Sequence, residues 1–136
     1  MRLLSKATSK WWAMLLWMLV SPLSNAEDRY LDVPKAEIEL ILERGYNLDS
    51  SVAGLIDNMI RDYPESPLGL CLKAARLFQL DDYAEGSDDA IAESFEKAST
   101  NAIEASERYY QIHPENPEGR YAVAMCELNL ARYYID

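Results

Sequence analysis

A chain of 136 residues has room for one domain, and 23 acidic against 13 basic side chains leave it at −10. Such a surface repels nucleic acid and anionic membranes, which excludes both as partners. Apolar residues make up 49% of the chain at regular spacing, which argues against disorder, and two cysteines are too few for a disulfide scaffold.

The first 26 residues read as an export signal. Arg2, Lys6 and Lys10 form a basic start, Trp11 to Val20 an apolar stretch, and Ser24-Asn25-Ala26 a small-x-small cleavage site before acidic Glu27-Asp28. A membrane span needs roughly 20 apolar residues. This stretch is about half that length, with Pro22 at its end, so it is expected to be cleaved and to leave no stable membrane insertion. No cysteine follows the site, which leaves a lipid anchor without an attachment atom. Cleavage removes three basic residues and no acidic one, so residues 27–136 are more acidic still, as suits a soluble exported protein.

The helical elements follow in order. Pro34 can open a helix with Ile38, Ile41 and Leu42 facing inward, ending near Gly45. Val52, Leu55, Ile56, Met59, Ile60 and Tyr63 keep the three-four spacing of a second helix, for which Asp49 to Ser51 offer a cap. Residues 64–69 then read PESPLG. The first proline disfavours the helical conformation of Tyr63, Ser66 is a strong N-cap residue, and Pro67 falls at the first helical position, where its missing N–H costs nothing. The hexamer is a stop followed at once by a start, and so short a connection makes its two helices antiparallel neighbours.

The next helix, from Leu68 to Leu80, is apolar on more than one face, as in a helix packed between neighbours. After the acidic DDYAEGSDD segment, the longest helix is expected to start at Ser87, with Asp88 and Asp89 at its positive end. Ile91, Phe95, Ala98, Ala102, Ala105, Tyr109 and Ile112 alternate steps of four and three along it, a narrow seam with a small-residue middle. At 114–119 the chain reads PENPEG, repeating the hexamer at an offset of 50, with Asn116 in place of Ser66 and His113 in place of Tyr63. Gly69 pairs with Gly119, Ala74 with Ala124 and Leu80 with Leu130 at the same offset. Glycine early in a helix carries a propensity cost, so its recurrence suggests a close crossing by the preceding helix. A last helix, Tyr121 to Tyr134, is again apolar on several sides, and no segment shows a strand pattern between turn signals.

Chemistry is thinly written. His113 is the only histidine and sits at a helix end, where a cation suits the dipole, so no nucleophile–base pair is expected. Histidine and cysteine do not cluster as zinc requires. The acidic segment fails the calcium-loop pattern: from Asp81, position three is Tyr83 and position twelve Ala92. No catalytic residue, metal or cofactor is therefore expected. Export permits a bridge between Cys71 and Cys126, while their apolar neighbours equally suit two small buried hydrophobes.

IRDYPESPLGLCLKAARLFQL and SERYYQIHPENPEGRYAVAMCELNLARYY resemble the proline corner and first helix of tetratricopeptide repeats, over roughly residues 35–136. Leu70, Ala74 and Leu77 match the large–small–large pattern of that helix, with Ala124 as the later small residue. The usual period is about 34 residues, so an offset of 50 implies an extension of about 16, a lengthened middle helix around DDYAEGSDDAIAESFEKAS. The resemblance implies antiparallel helix pairs stacked as a short α-solenoid whose concave face binds a protein or peptide. The groove positions it implies are Leu68, Cys71, Ala75 and Phe78, then Glu118, Tyr121, Met125 and Leu128. These cannot clamp a peptide carboxylate; they would line an apolar groove or pack against further helices.

The resulting expectation is an all-α domain over residues 27–136, exported to the periplasm and non-enzymatic, binding or scaffolding an envelope protein. A permanently packed accessory subunit is the rival, and a hydrolase built on paired carboxylates the remote one. The last helix is expected to expose apolar side chains, implying self-association or further repeats beyond it. N-terminal sequencing of exported material should begin at Glu27; an intact Met1 terminus in the membrane fraction would overturn the signal assignment.

Overall fold

The computed structural model describes residues 29–46, 49–83 and 89–135; the segment read as an export signal and residues 84–88 of the acidic segment lie outside them. Nearly all of the described chain is helical: α1 Lys35–Tyr46, α2 Val52–Asp62, α3 Leu68–Tyr83, α4 Asp89–Ile112 and α5 Pro117–Ile135. The fold is all-α, with consecutive helices packed as antiparallel neighbours. Late in α3, Phe78 meets Phe95 early in α4, ring centroids 5.5 Å apart. At the opposite ends of the same two helices, Cys71 Sγ lies 3.6 Å from Ser106 Oγ. The same reversal relates α4 to α5, and α3 touches α5 directly, so the helices that follow the two hexamers are neighbours.

Both corners form as their residues dictate, and the offset of 50 holds bond for bond. Tyr63 N–H donates to the Met59 carbonyl (2.9 Å) and His113 N–H to that of Tyr109 (2.8 Å), ending α2 and α4. Ser66 N–H then reaches Tyr63 O (3.1 Å), as Asn116 N–H reaches His113 O (3.0 Å). Leu68 N–H donates to Ser66 Oγ at 3.3 Å and Glu118 N–H to Asn116 Oδ1 at 3.0 Å, so both caps satisfy an orphan amide. Cys71 N–H bonds the Pro67 carbonyl at 3.0 Å, which makes Pro67 in effect the first residue of α3.

The glycines act as their recurrence suggests. A Cβ on Gly69 would lie 2.7 Å from Ile60 Cγ1 and 3.2 Å from the Ile60 amide nitrogen. On Gly119 it would lie 2.9 Å from the Tyr109 ring and 3.3 Å from Tyr110 Cα. Ile60 and Tyr110 are themselves related by the offset of 50. Each glycine lets its helix cross the preceding one at backbone distance.

Four sequence expectations change. Ser51 does not cap α2 with its side chain; its hydroxyl accepts from Arg44 Nη1 (3.1 Å), while Asp49 Oδ1 takes the Ser51 N–H (2.8 Å). Those hydrogen bonds, with Arg44 nearby, hold the exposed Asp49 carboxyl below its usual range. The α4 seam is buried at Phe95, Ala98, Ala102, Ala105 and Tyr109, but Ile112 is 64% exposed because α5 crosses at Tyr109–Tyr110 and leaves the helix end bare. Ala74 is buried whereas Ala124 is exposed: the main helix neighbours of α3 are α2, α4 and α5, and those of α5 are α4 and α3. The fourth change is a two-stranded hairpin where no strand pattern was read. It pairs Arg29 with Pro34 and Tyr30 with Val33, around Leu31 (φ 48°) and Asp32 (φ 67°). Two consecutive positive φ values make the tight turn that fits twisted strands.

Gly69→Ala and Gly119→Ala should each lower stability, since overpacking costs about 1–3 kcal/mol and outweighs the ~1 kcal/mol that alanine gains in a helix. Gly54, with no atom within 4 Å of its Cβ position, is the control: Gly54→Ala should stabilise. Urea melts in which all three variants shift alike would refute the crossing.

Candidate functional site

The implied groove positions do not form one open surface. Leu68, Cys71 and Met125 are buried, Ala75, Phe78 and Tyr121 half-buried, and Leu128 is 50% exposed. Phe78 turns toward Phe95 of α4, and Cys71 faces Cys126. Leu68, Ala75, Tyr121 and Met125 join one apolar cluster with Tyr30, Leu31 and Val33, so the chain's own hairpin sits where the resemblance implies a bound peptide.

The second corner holds that hairpin. Leu31 N–H donates to Glu118 Oε2 at 3.0 Å, an acceptor from the first turn of α5. Asn116 Nδ2 donates to the Tyr109 hydroxyl at 3.2 Å. That hydroxyl is pushed up to about 12 by burial first, then by the Asp32 charge and the hydrogen bond it donates to Asp32. Tyr30 is driven higher still by burial, with the Glu118 carboxylate, both cysteines and Tyr121 adding to it. The hairpin thus shares one apolar cluster with Leu68, Ala75, Tyr121 and Met125 and is tied to the corner through Glu118. Leu-Asp is not the Asn-Gly signature of such a turn, so only the αL tolerance of Asp32 hinted at it.

Between α3 and α5 lies a feature whose geometry spacing did not disclose. Cys71 Sγ and Cys126 Sγ are 2.7 Å apart as free thiols, beside the Ser106 hydroxyl. Either thiol can donate to the other; their contact holds the Cys71 thiol well above its ordinary value and lowers that of Cys126. Ser106 and Ser99 are the other polar surprises of α4. The Ser106 hydroxyl donates to the Ala102 carbonyl at 2.7 Å, while the buried Ser99 hydroxyl has no partner among the described residues.

His113 stacks on Tyr109 at 4.6 Å and places Nδ1 3.8 Å from Glu115 Oε1, contacts of a helix end. Among the described residues, no three His, Cys, Asp or Glu side chains converge to hold a metal ion, and no helix is long and apolar enough to cross a membrane. Compared with protein-family models, with curated proteins and with solved structures, the chain matches none.

Both tyrosines bear on alkaline stability. A raised folded-state value gives stability that is complete below the ordinary tyrosine value of 10.0 and is lost as pH rises toward about 12 for Tyr109. Stability should fall over that window, and Tyr109→Phe should flatten the fall by about 1–2 kcal/mol after solvent screening. Denaturant titrations showing the same slope for both proteins would refute the coupling.

Proposed function

We propose that this chain is a non-enzymatic interaction module, a tetratricopeptide-like stack of helix pairs that is exported and holds a protein partner along α5. The observation that carries the reading is the open side of that helix. Ala124, Leu128 and Ala131 fall at i, i+4 and i+7 and are all exposed, and Tyr121 continues the row half-buried. A leucine flanked by alanines, on a helix face left exposed among the described residues, suits another helix approaching closely. Because the hairpin fills the positions expected to line the concave groove, the free α5 face is the better seat for a partner. The strong negative charge of the chain favours a partner whose apolar face is rimmed by basic residues.

A photocrosslinking side chain placed at Leu128 of the full chain, in cells that produce it, tests this against the same probe at exposed Glu93 on α4. Discrete adducts at 128 and none at 93 are expected. An adduct of twice the chain's mass would identify the partner as a second copy. Adducts at neither position, or equally at both, would overturn the assignment of α5.

A further inference from the structure

The two cysteines are not part of the repeat. At the offset of 50, Cys71 corresponds to Tyr121 and Cys126 to Arg76, so each thiol is placed separately and they meet only because α3 and α5 are neighbours. Their sulfurs stand 2.7 Å apart, about two-thirds of an ångström beyond a covalent S–S bond. Both side chains are buried, at 7% and 5% exposure. Ala102, fully buried, packs against the pair, and its short side chain leaves room for two sulfurs. The Ser106 hydroxyl spends its proton on the Ala102 carbonyl and so presents lone pairs, not a donor, to the sulfurs 3.6 and 4.0 Å away. No further metal donor converges on the pair among the described residues, which leaves each sulfur the other as its natural partner.

We propose that Cys71 and Cys126 are the site of an intramolecular disulfide that pins α5 to α3 when the chain folds in the presence of a disulfide oxidant. With oxidised glutathione, one cysteine thiolate attacks the glutathione disulfide, forming a mixed disulfide and expelling one glutathione thiolate. The second cysteine then attacks the protein sulfur of that mixed disulfide and expels the other. The pair gives up two electrons and two protons, and the oxidant becomes two glutathione thiols. The exchange belongs to folding, before the packed helices bury both side chains. The closed loop, residues 71–126, encloses the whole of α4, so α5 can no longer separate from α3.

The test uses the full chain refolded from denaturant with excess oxidised glutathione, then unfolded and alkylated without reductant. The expected product is a monomer about 2 Da lighter than the reduced chain and free of alkyl groups. Its melting temperature should drop on adding dithiothreitol, by about 5–15 °C given the loop enclosed. The variant carrying Cys71→Ala and Cys126→Ala should melt at one temperature with and without reductant, which separates the bond from any general effect of the reagent. Two alkylated thiols after oxidative refolding, glutathione adducts, or disulfide-linked dimers would each overturn the proposal, as would a melting temperature indifferent to reductant.

Discussion

The structure hangs on how closely two helices approach at a proline corner. At Gly69 and Gly119 the helix after the corner passes the helix before it with no space for a methyl group, against Ile60 in one case and Tyr109–Tyr110 in the other. That approach sets the angle at which α3 leaves α2 and α5 leaves α4. It also brings α3 and α5 side by side, because two equivalent turns place equivalent helices on the same side of the stack. Capping and proline geometry decide where each helix starts and stops; the glycine decides how far apart the pair then sits.

The hairpin depends on that arrangement. Its Leu31 and Asp32 occupy left-handed backbone regions, which cost about 1–2 kcal/mol per residue. Burial of Tyr30, Leu31 and Val33 offsets this, at about 1.5–3 kcal/mol for each large apolar side chain. Those side chains find an apolar surface where α1 to α5 converge, and a long-range backbone bond of the hairpin ends on Glu118 beside the Asn116 cap. A corner that ends one helix and starts another therefore also anchors the start of the described chain.

Filling that surface bears on function. Four of the positions that the resemblance assigns to a peptide groove share one apolar cluster with the hairpin, whereas Leu128 of α5 is half exposed. The cysteine pair joins α3 to α5, so whatever fixes those two helices together also steadies the exposed stripe.

How much of this could be read from residue order follows the range of the interactions. The helices, both corners, the caps at Ser66 and Asn116, the lengthened α4 and the tight crossings at the two glycines were legible, because each is set by residues a few positions apart or by a pattern repeated at a fixed offset. Ile112 and Ala124 fit their patterns and are nevertheless exposed, since periodicity marks a face without saying whether a neighbour reaches it. Phe78 turned toward Phe95, the hairpin formed without a strand signature, and Cys71 met Cys126 at a spacing outside the repeat. By itself the sequence determined where the chain turns and which faces are apolar, since backbone sterics and hydrogen bonding act locally. Only the tertiary structure decided what covers those faces, because burial is won by whichever segment, however distant in the chain, reaches the surface first and fits it.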